Sequence, residues 1–582
     1  MTSVDDLFKK PTLPSGNLKR KLEIPDAERI YKASKLSSGS SPNGHANAAS
    51  VADAPEDDDD ETEAGPDLPP DEDDDGDDGD RFFGGGVTKS SAAALDYLDQ
   101  QDDVDYVAER IDSVWLRRLA VSFEKKVTKN AELRARYEAD PQKFMSSEAD
   151  LDAEIKSWSL LAEHPDLYAE FAESESVGLL VGLLAHENTD IAIAAIEILS
   201  ELLDEDVEAE PEHWDNVAAA LLEADLLELL MSNLTRLDEG NESDRGGVYH
   251  SLAVLESLGS RQNTAERVGL EKVLQWLCER IGKTEKVVSQ NKQYAAEVLQ
   301  VLLQSSPLLR RRLAVDIDGV DLFLQLLAAY RKRDPSKDST EEEYAENLFD
   351  ALTCVVDEAD GKRKFVEAEG MELALIMLKE GSFSKPRALR LLDHACAGPS
   401  AQQVCEKLVD AAGLKIIFSS FMKKSDSGTT EHLLGILASL LRLLPGESAA
   451  RIRALAKFTE KDYEKVGKLV KLREDYARKV GLVEKEISNE QAALDIEEIA
   501  ERADEHLSRR LDAGLFVLQT IDVILAWLAA EDTGAKKRII AGGLVEPVRA
   551  SLQEQIDGLD ADGGDGGDET RDMLGTLLEF LR

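Results

Sequence analysis

The chain has 582 residues and a formal net charge of −49, with 117 Asp and Glu against 68 Lys and Arg. Hydrophobic residues make up 42% and aromatics only 5%, a mix that can fold and that favours helices, because straight side chains lose little rotamer freedom there. Residues 1–80 carry a net −14 and the other 502 residues −35, so the body itself repels a phosphate backbone; direct nucleic-acid binding by the folded part is disfavoured and basic peptides are the natural complement.

Residues 1–90 read as a disordered tail, too poor in bulky apolar side chains to offset chain entropy. Its basic clusters, Lys9–Lys10 and Lys19–Arg20–Lys21, have the character of a nuclear-import signal. Glu56 to Asp80 then holds 16 carboxylates in 25 residues and no base. The next stretch, Arg81 to Ser90, resembles a phosphate loop only faintly: Phe83 and Thr88 stand where glycines are required, and no strand precedes it. The first ten residues lack the apolar core of a signal peptide. The longest apolar stretch, Gly514–Ala530, is interrupted by Gln519, Thr520 and Asp522, so a buried helix is expected there and no membrane span.

From about Ala92 the apolar residues recur at three and four, the helical spacing. Residues 91–165 form an N-terminal helical cap, with Trp115, Leu116, Leu119 and Phe123 on one face and breaks at Asp140–Pro141 and His164–Pro165. Residues 166–458 contain a repeating unit that aligns on Leu199, Leu255, Leu299, Leu352, Leu392 and Leu437. The intervals of 40 to 56 residues fit armadillo or HEAT units of about 40–47 residues with inserts. Asp204–Pro211 and Arg331–Thr340 supply two of the inserts. Residues 459–505 read as a long helix or short coiled coil, its seam interrupted by Arg473 and Glu490, which leaves self-association or packing back on the solenoid open. A C-terminal armadillo-type repeat at 506–555 and a Gly/Asp linker with a terminal helix at 556–582 complete the chain. The expected fold class is all-α, an armadillo/HEAT-like right-handed superhelical solenoid with a disordered N-terminal tail. Neighbouring repeats must stack to bury their apolar faces.

Catalytic and metal chemistry find no support in the residue pattern. His186–Glu187 lacks a second histidine four residues on, as a zinc-protease helix requires. His394 and Cys396 point to different sides of a helix. Cys278, Cys354, Cys396 and Cys405 have no zinc-ligand spacing and are too few for a disulfide framework. Cys396 is expected in the core. No nucleophile, base and orienting group assemble, and no cofactor is expected.

Longer strings carry a family resemblance over about Asp112 to Ala530. They include KNAELRARYEADPQKFMSSEADLDAEI, DPSKDSTEEEYAENLFDAL, LRLLDHACAGP, KFTEKDYEKV and RRLDAGLFVLQ. The chain resembles the beta-catenin-like protein 1 family. That resemblance implies an armadillo superhelix with an N-terminal cap, located in the nucleus and associated with the spliceosome through the NineTeen complex. It also implies a partner: the basic, import-signal-like segment of a Myb-domain splicing factor.

Importin-type armadillo proteins grip basic peptides with Trp and Asn four residues apart on each inner helix, one above the other. In this chain the Trp positions fall on Glu197, Ala253, Glu297, Asp350, Arg390 and Gly435, and the Asn positions on Glu201, Ser257, Val301, Cys354, His394 and Ser439. The importin ladder is absent, and carboxylates partly replace it. Glu197, Glu201, Glu297 and Asp350 are therefore the candidate partner-binding residues, suited to Lys and Arg through charge-assisted hydrogen bonds. The expected function is a nuclear interaction scaffold in pre-mRNA splicing; the alternative is an importin-like transport adaptor for basic cargo.

Overall fold

The computed structural model describes residues 110–582 except 493, 563–566 and 582. The import-signal residues Lys9, Lys10, Lys19, Arg20 and Lys21, the acidic tract and the Arg81–Ser90 loop lie outside the described residues. From Asp112 onward the described chain falls within one compact unit, helical throughout.

Two cap helices come first, Ser113–Arg136 and Met145–Lys156. Asp112 starts the first by accepting from the backbone N–H groups of Val114 and Trp115, an N-cap worth about 1 kcal/mol. The four apolar residues expected on its inward face are all buried. Pro141 and Pro165 each open a short 3-10 turn, where the missing N–H costs nothing. Trp158 is fully buried, with its ring 5.5 Å from Phe123 and 5.2 Å from Phe171. This aromatic knot joins the cap to the first repeat.

Eight three-helix units follow, and each third helix packs against the third helix of the next unit. These inner helices are Thr189–Leu202, Glu242–Gly259, Gln290–Ser305, Thr340–Val355, Ser384–Cys396, Ser427–Leu443, Leu515–Glu531 and Gly567–Phe580. The aligned leucines, from Leu199 to Leu437, all sit on them at 0% exposure. Five of the inner helices begin at a side-chain cap: Asn188, Asn241, Ser289, Ser339 and Asp426. The first and second helices of a unit meet at a sharp turn with one left-handed residue: Asp225, Asp318, Glu369 or Ala412. In the last three cases glycine follows, and a Cβ at Gly370 would run into Phe365, one at Gly413 into the Leu408 carbonyl. The small residue is what lets the two helices close on each other.

The seventh unit is built differently. Ala449–Gln491 is a helix broken at Glu460–Tyr463, where Lys461, Asp462 and Tyr463 have positive φ. Its two limbs supply the unit's first and second helices, and Leu515–Glu531 supplies the third. The longer limb packs back on the solenoid through Val466, Leu469, Tyr476 and Ile487. The two polar residues that interrupt its seam are answered inside the chain. Arg473 Nε donates to Asp522 Oδ1 at 2.6 Å, with Asp522 fully buried. Glu490 accepts from Arg509 at 2.7 Å. The Gly/Asp-rich segment is helical as far as Asp562, within Val545–Asp562, and Gly567–Phe580 packs on both that helix and Leu515–Glu531.

Candidate binding face

The side chains that matter lie on the exposed stripe of the inner helices. All twelve positions aligned with the importin ladder are half-buried, neither core nor fully solvated. Four-residue spacing places each pair on one face, so the register read from the sequence holds on every helix from the first unit to the sixth. No position carries Trp or Asn.

The first three units present carboxylates. Glu197 and Glu201 share the first inner helix, and no salt bridge joins either to a cation among the described residues. Glu201 Oε2 is shielded from solvent and accepts no hydrogen bond among them, a state that costs about 1–3 kcal/mol and that an incoming donor would relieve. Lys156 on the cap, whose ammonium donates to Asp152 at 2.7 Å, feels Glu197 at longer range. On the second unit His250 lies 3.2 Å from the Ser200 hydroxyl. Burial lowers the His250 pKa below the usual imidazole value, against the pull of Glu197. Glu256 accepts from the Tyr294 hydroxyl at 2.6 Å, and Glu297 from the Gln293 amide at 3.0 Å.

The fourth to sixth units show a different pattern. Asp350 is held by Arg390 of the following inner helix, and Glu346 by Arg387. Burial lowers the pKa of both guanidiniums. His394 Nδ1 meets Asp357 at 2.9 Å, and His432 Nδ1 meets Asp393 at 3.0 Å. Each pair spans 37 to 41 residues of sequence, one repeat, so the four form a polar seam crossing from helix to helix. Asp393 is mostly buried because Gly435 leaves room: a Cβ there would collide with its carboxylate. Asp350 therefore stands apart from Glu197, Glu201 and Glu297, since its charge is already met within the chain.

Beyond the seam the inner face turns apolar. An open groove is lined by Gly435, Ala438, Phe516, Val523, Met573 and Leu574 together with Asp357, His394, Glu431 and Arg442.

Sequence reading placed Glu197, Glu201, Glu297 and Asp350 on this face but passed over Glu256, Glu346, Arg387, Asp357 and Asp393. Glu346 sits one turn before Asp350, and Arg387 three residues before Arg390. Scanning three and four residues either side of each ladder position would have found both. As for nucleophiles, Cys278, Cys396 and Cys405 are buried and Cys354 half-buried. Burial pushes the Cys278 thiol up to about 12 and that of Cys354 to about 11, so both stay protonated at neutral pH. No single helix among the described residues is long and apolar enough to cross a membrane.

Comparison with known proteins adds the family. Residues 92–546 match the family described as catenin-beta-like, Arm-motif containing nuclear. The beta-catenin-like protein 1 homolog of Schizosaccharomyces pombe is 38% identical over 453 residues, covering 78% of this chain and 79% of that protein. Human beta-catenin-like protein 1 is 37% identical over 502 residues, covering 81% and 86%. The Bos taurus protein is 39% identical over 436 residues, covering 72% and 76%. With most of its length matched by the family model and by these relatives, the chain belongs to the beta-catenin-like protein 1 family, an armadillo-motif family.

Proposed function

We propose that the chain is a non-catalytic nuclear scaffold of pre-mRNA splicing that holds basic segments of partner proteins along the first three units of its inner face. The observation that carries this reading is the placement of Glu197 and Glu201, without a salt bridge of their own, beside Glu256 and Glu297 on adjoining inner helices. Desolvated carboxylates on a concave strip favour Lys and Arg through charge-assisted hydrogen bonds, and the body's net charge steers cations toward it. The family description supports the nuclear setting. The resemblance supplies the partner class, the basic segment of a Myb-domain splicing factor. An importin-like adaptor role has less support, because Glu, Ala, Asp, Arg and Gly occupy the positions where Trp would grip cargo.

The test is binding of a Lys/Arg-rich peptide to the wild type and to a Glu197→Gln/Glu201→Gln/Glu297→Gln variant. A loss of about tenfold or more is expected, with a shallower salt dependence. Unchanged affinity and unchanged salt dependence would overturn the reading. Affinity purification from nuclear extract tests the setting: splicing factors are the expected companions, whereas recovery of nuclear-transport factors alone would favour the adaptor.

A further inference from the structure

One surface among the described residues carries the opposite sign to the net charge of the body. Where the second helix of the sixth unit, Gly413–Met422, ends against the long limb of the seventh, four lysines line one groove: Lys423, Lys424, Lys468 and Lys471. Lys423, Lys424 and Lys471 are exposed, and no salt bridge joins any of the three to an acid among the described residues. Lys468 has a positioning role. Its ammonium donates to the carbonyls of Phe421 and Lys423, the latter at 2.8 Å, which fixes the end of the helix and the turn bearing the other two lysines. Burial pulls its pKa down. Lys468 and Lys471 lie three residues apart on one side of the limb. Gly467, next to Lys468, also lines the groove, and a Cβ there would meet nothing within 4 Å, so no neighbouring side chain crowds that point of the lining.

The opposing charges are few. Glu464 is the one carboxylate in the lining. Asp426, at the edge, is committed to its own helix: it accepts from the Thr429 N–H and hydroxyl, each at 2.8 Å, and those bonds lower its pKa.

We propose that this groove receives a short acidic segment of a partner protein, with clustered Asp or Glu side chains set among Lys423, Lys424 and Lys471, the turn being held by Lys468. Lysine ammoniums are mobile point charges without the fixed fork of arginine, and they suit carboxylates on a flexible peptide. A nucleic-acid strand fits less well. It carries a phosphate about every 3.4 Å, and any strand longer than the groove runs onto a body of net −35. An acidic cluster with neutral ends avoids that repulsion. The site is separate from the inner-face carboxylates, so the chain would hold a basic segment and an acidic one on different surfaces.

The experiment uses the full chain and a fluorescent peptide of about six glutamates flanked by Gly and Ser, titrated at about 50 and about 200 mM salt. Lys423→Glu/Lys424→Glu/Lys471→Glu is expected to weaken binding by about tenfold or more, and Lys471→Gln alone by about two- to threefold. Affinity for the Lys/Arg-rich peptide should not fall in either variant, which separates this site from the inner face; the melting profile confirms that both fold. Equal acidic-peptide affinity in wild type and triple variant would overturn the proposal. So would a single-stranded RNA of about twelve nucleotides that binds the wild type more tightly than the peptide and is lost from the triple variant.

Discussion

The inner face of the first three units and that of the next three are made from the same helix in the same register, with Glu197, Glu297 and Asp350 at one corresponding position and Glu256 and Asp393 at another. They differ in what meets the charge. Around Glu346, Asp350, Asp357 and Asp393 the following unit supplies Arg387, Arg390, His394 and His432. Around Glu197 the following unit supplies His250, and no salt bridge among the described residues meets Glu197 or Glu201. The net charge of the chain says nothing about this difference. A carboxylate answered from the next repeat fixes the stacking of two repeats, and one without a salt bridge among the described residues, such as Glu197 or Glu201, is available to a cation from outside.

The strongest case of an internally answered charge is Arg473–Asp522 in the seventh unit. Breaking it gives the largest expected effect. Arg473→Leu leaves a fully buried carboxylate whose pKa is already raised by burial, opposed chiefly by that guanidinium and further by a hydrogen bond with Ser551. The expected loss is about 3–5 kcal/mol, read as earlier unfolding of the C-terminal units in denaturant. Arg473→Leu/Asp522→Leu should recover most of it, because replacing both partners removes the unpaired charge. If the double variant is no more stable than the single one, the ion pair is not the cause.

The comparison itself can be broken by converting one half into the other. Arg387→Ala/Arg390→Ala removes the cations that hold Glu346 and Asp350. Those pairs are about one-third exposed on the acid side, so the stability cost should stay near about 1 kcal/mol each. The released carboxylates extend the acidic strip by one unit, and affinity for a Lys/Arg-rich peptide should rise about three- to tenfold. A fall in affinity would mean that the arginines, not the carboxylates, contact the peptide.

Much of this was legible in the sequence, for identifiable reasons. Leucine periodicity fixed the inner helices because a stacked helix must bury one stripe, and all six aligned leucines are fully buried. The same register carried over to the exposed stripe, which is why Glu197, Glu201, Glu297 and Asp350 fall where expected. What the pattern did not reveal was pairing. Asp350 and Arg390 are 40 residues apart, and only the rise from one repeat to the next brings them together. Arg473 and Glu490 looked like breaks in a coiled-coil seam for the same reason, since their partners lie on other helices. The turn signatures Asp318–Gly319, Glu369–Gly370 and Ala412–Gly413 were available and mark the units directly. They were hard to read because the left-handed residue precedes the glycine instead of being it.

The smallest expected effect sharpens the comparison through pH. Histidines in the two halves have different surroundings: His394 and His432 each sit on a carboxylate, whereas His250 contacts the Ser200 hydroxyl and the Tyr249 ring. Burial holds the His250 pKa below its unfolded value, with Glu197 opposing. A base whose pKa is lowered on folding binds fewer protons in the native state. Stability is therefore lost as pH falls below about 6.5, the unfolded value, and the loss is complete once pH drops below the native one. Protonation there also places a cation beside Glu197, so affinity for a basic peptide should fall about two- to threefold as pH drops below about 6.5 and His250 takes up its proton. His250→Gln should flatten that decline while leaving affinity at pH 7 nearly unchanged. A decline of the same size in the variant would place the titrating group elsewhere, and the first three units would then lose their distinction as the half of the face whose charge is regulated by a neutral histidine.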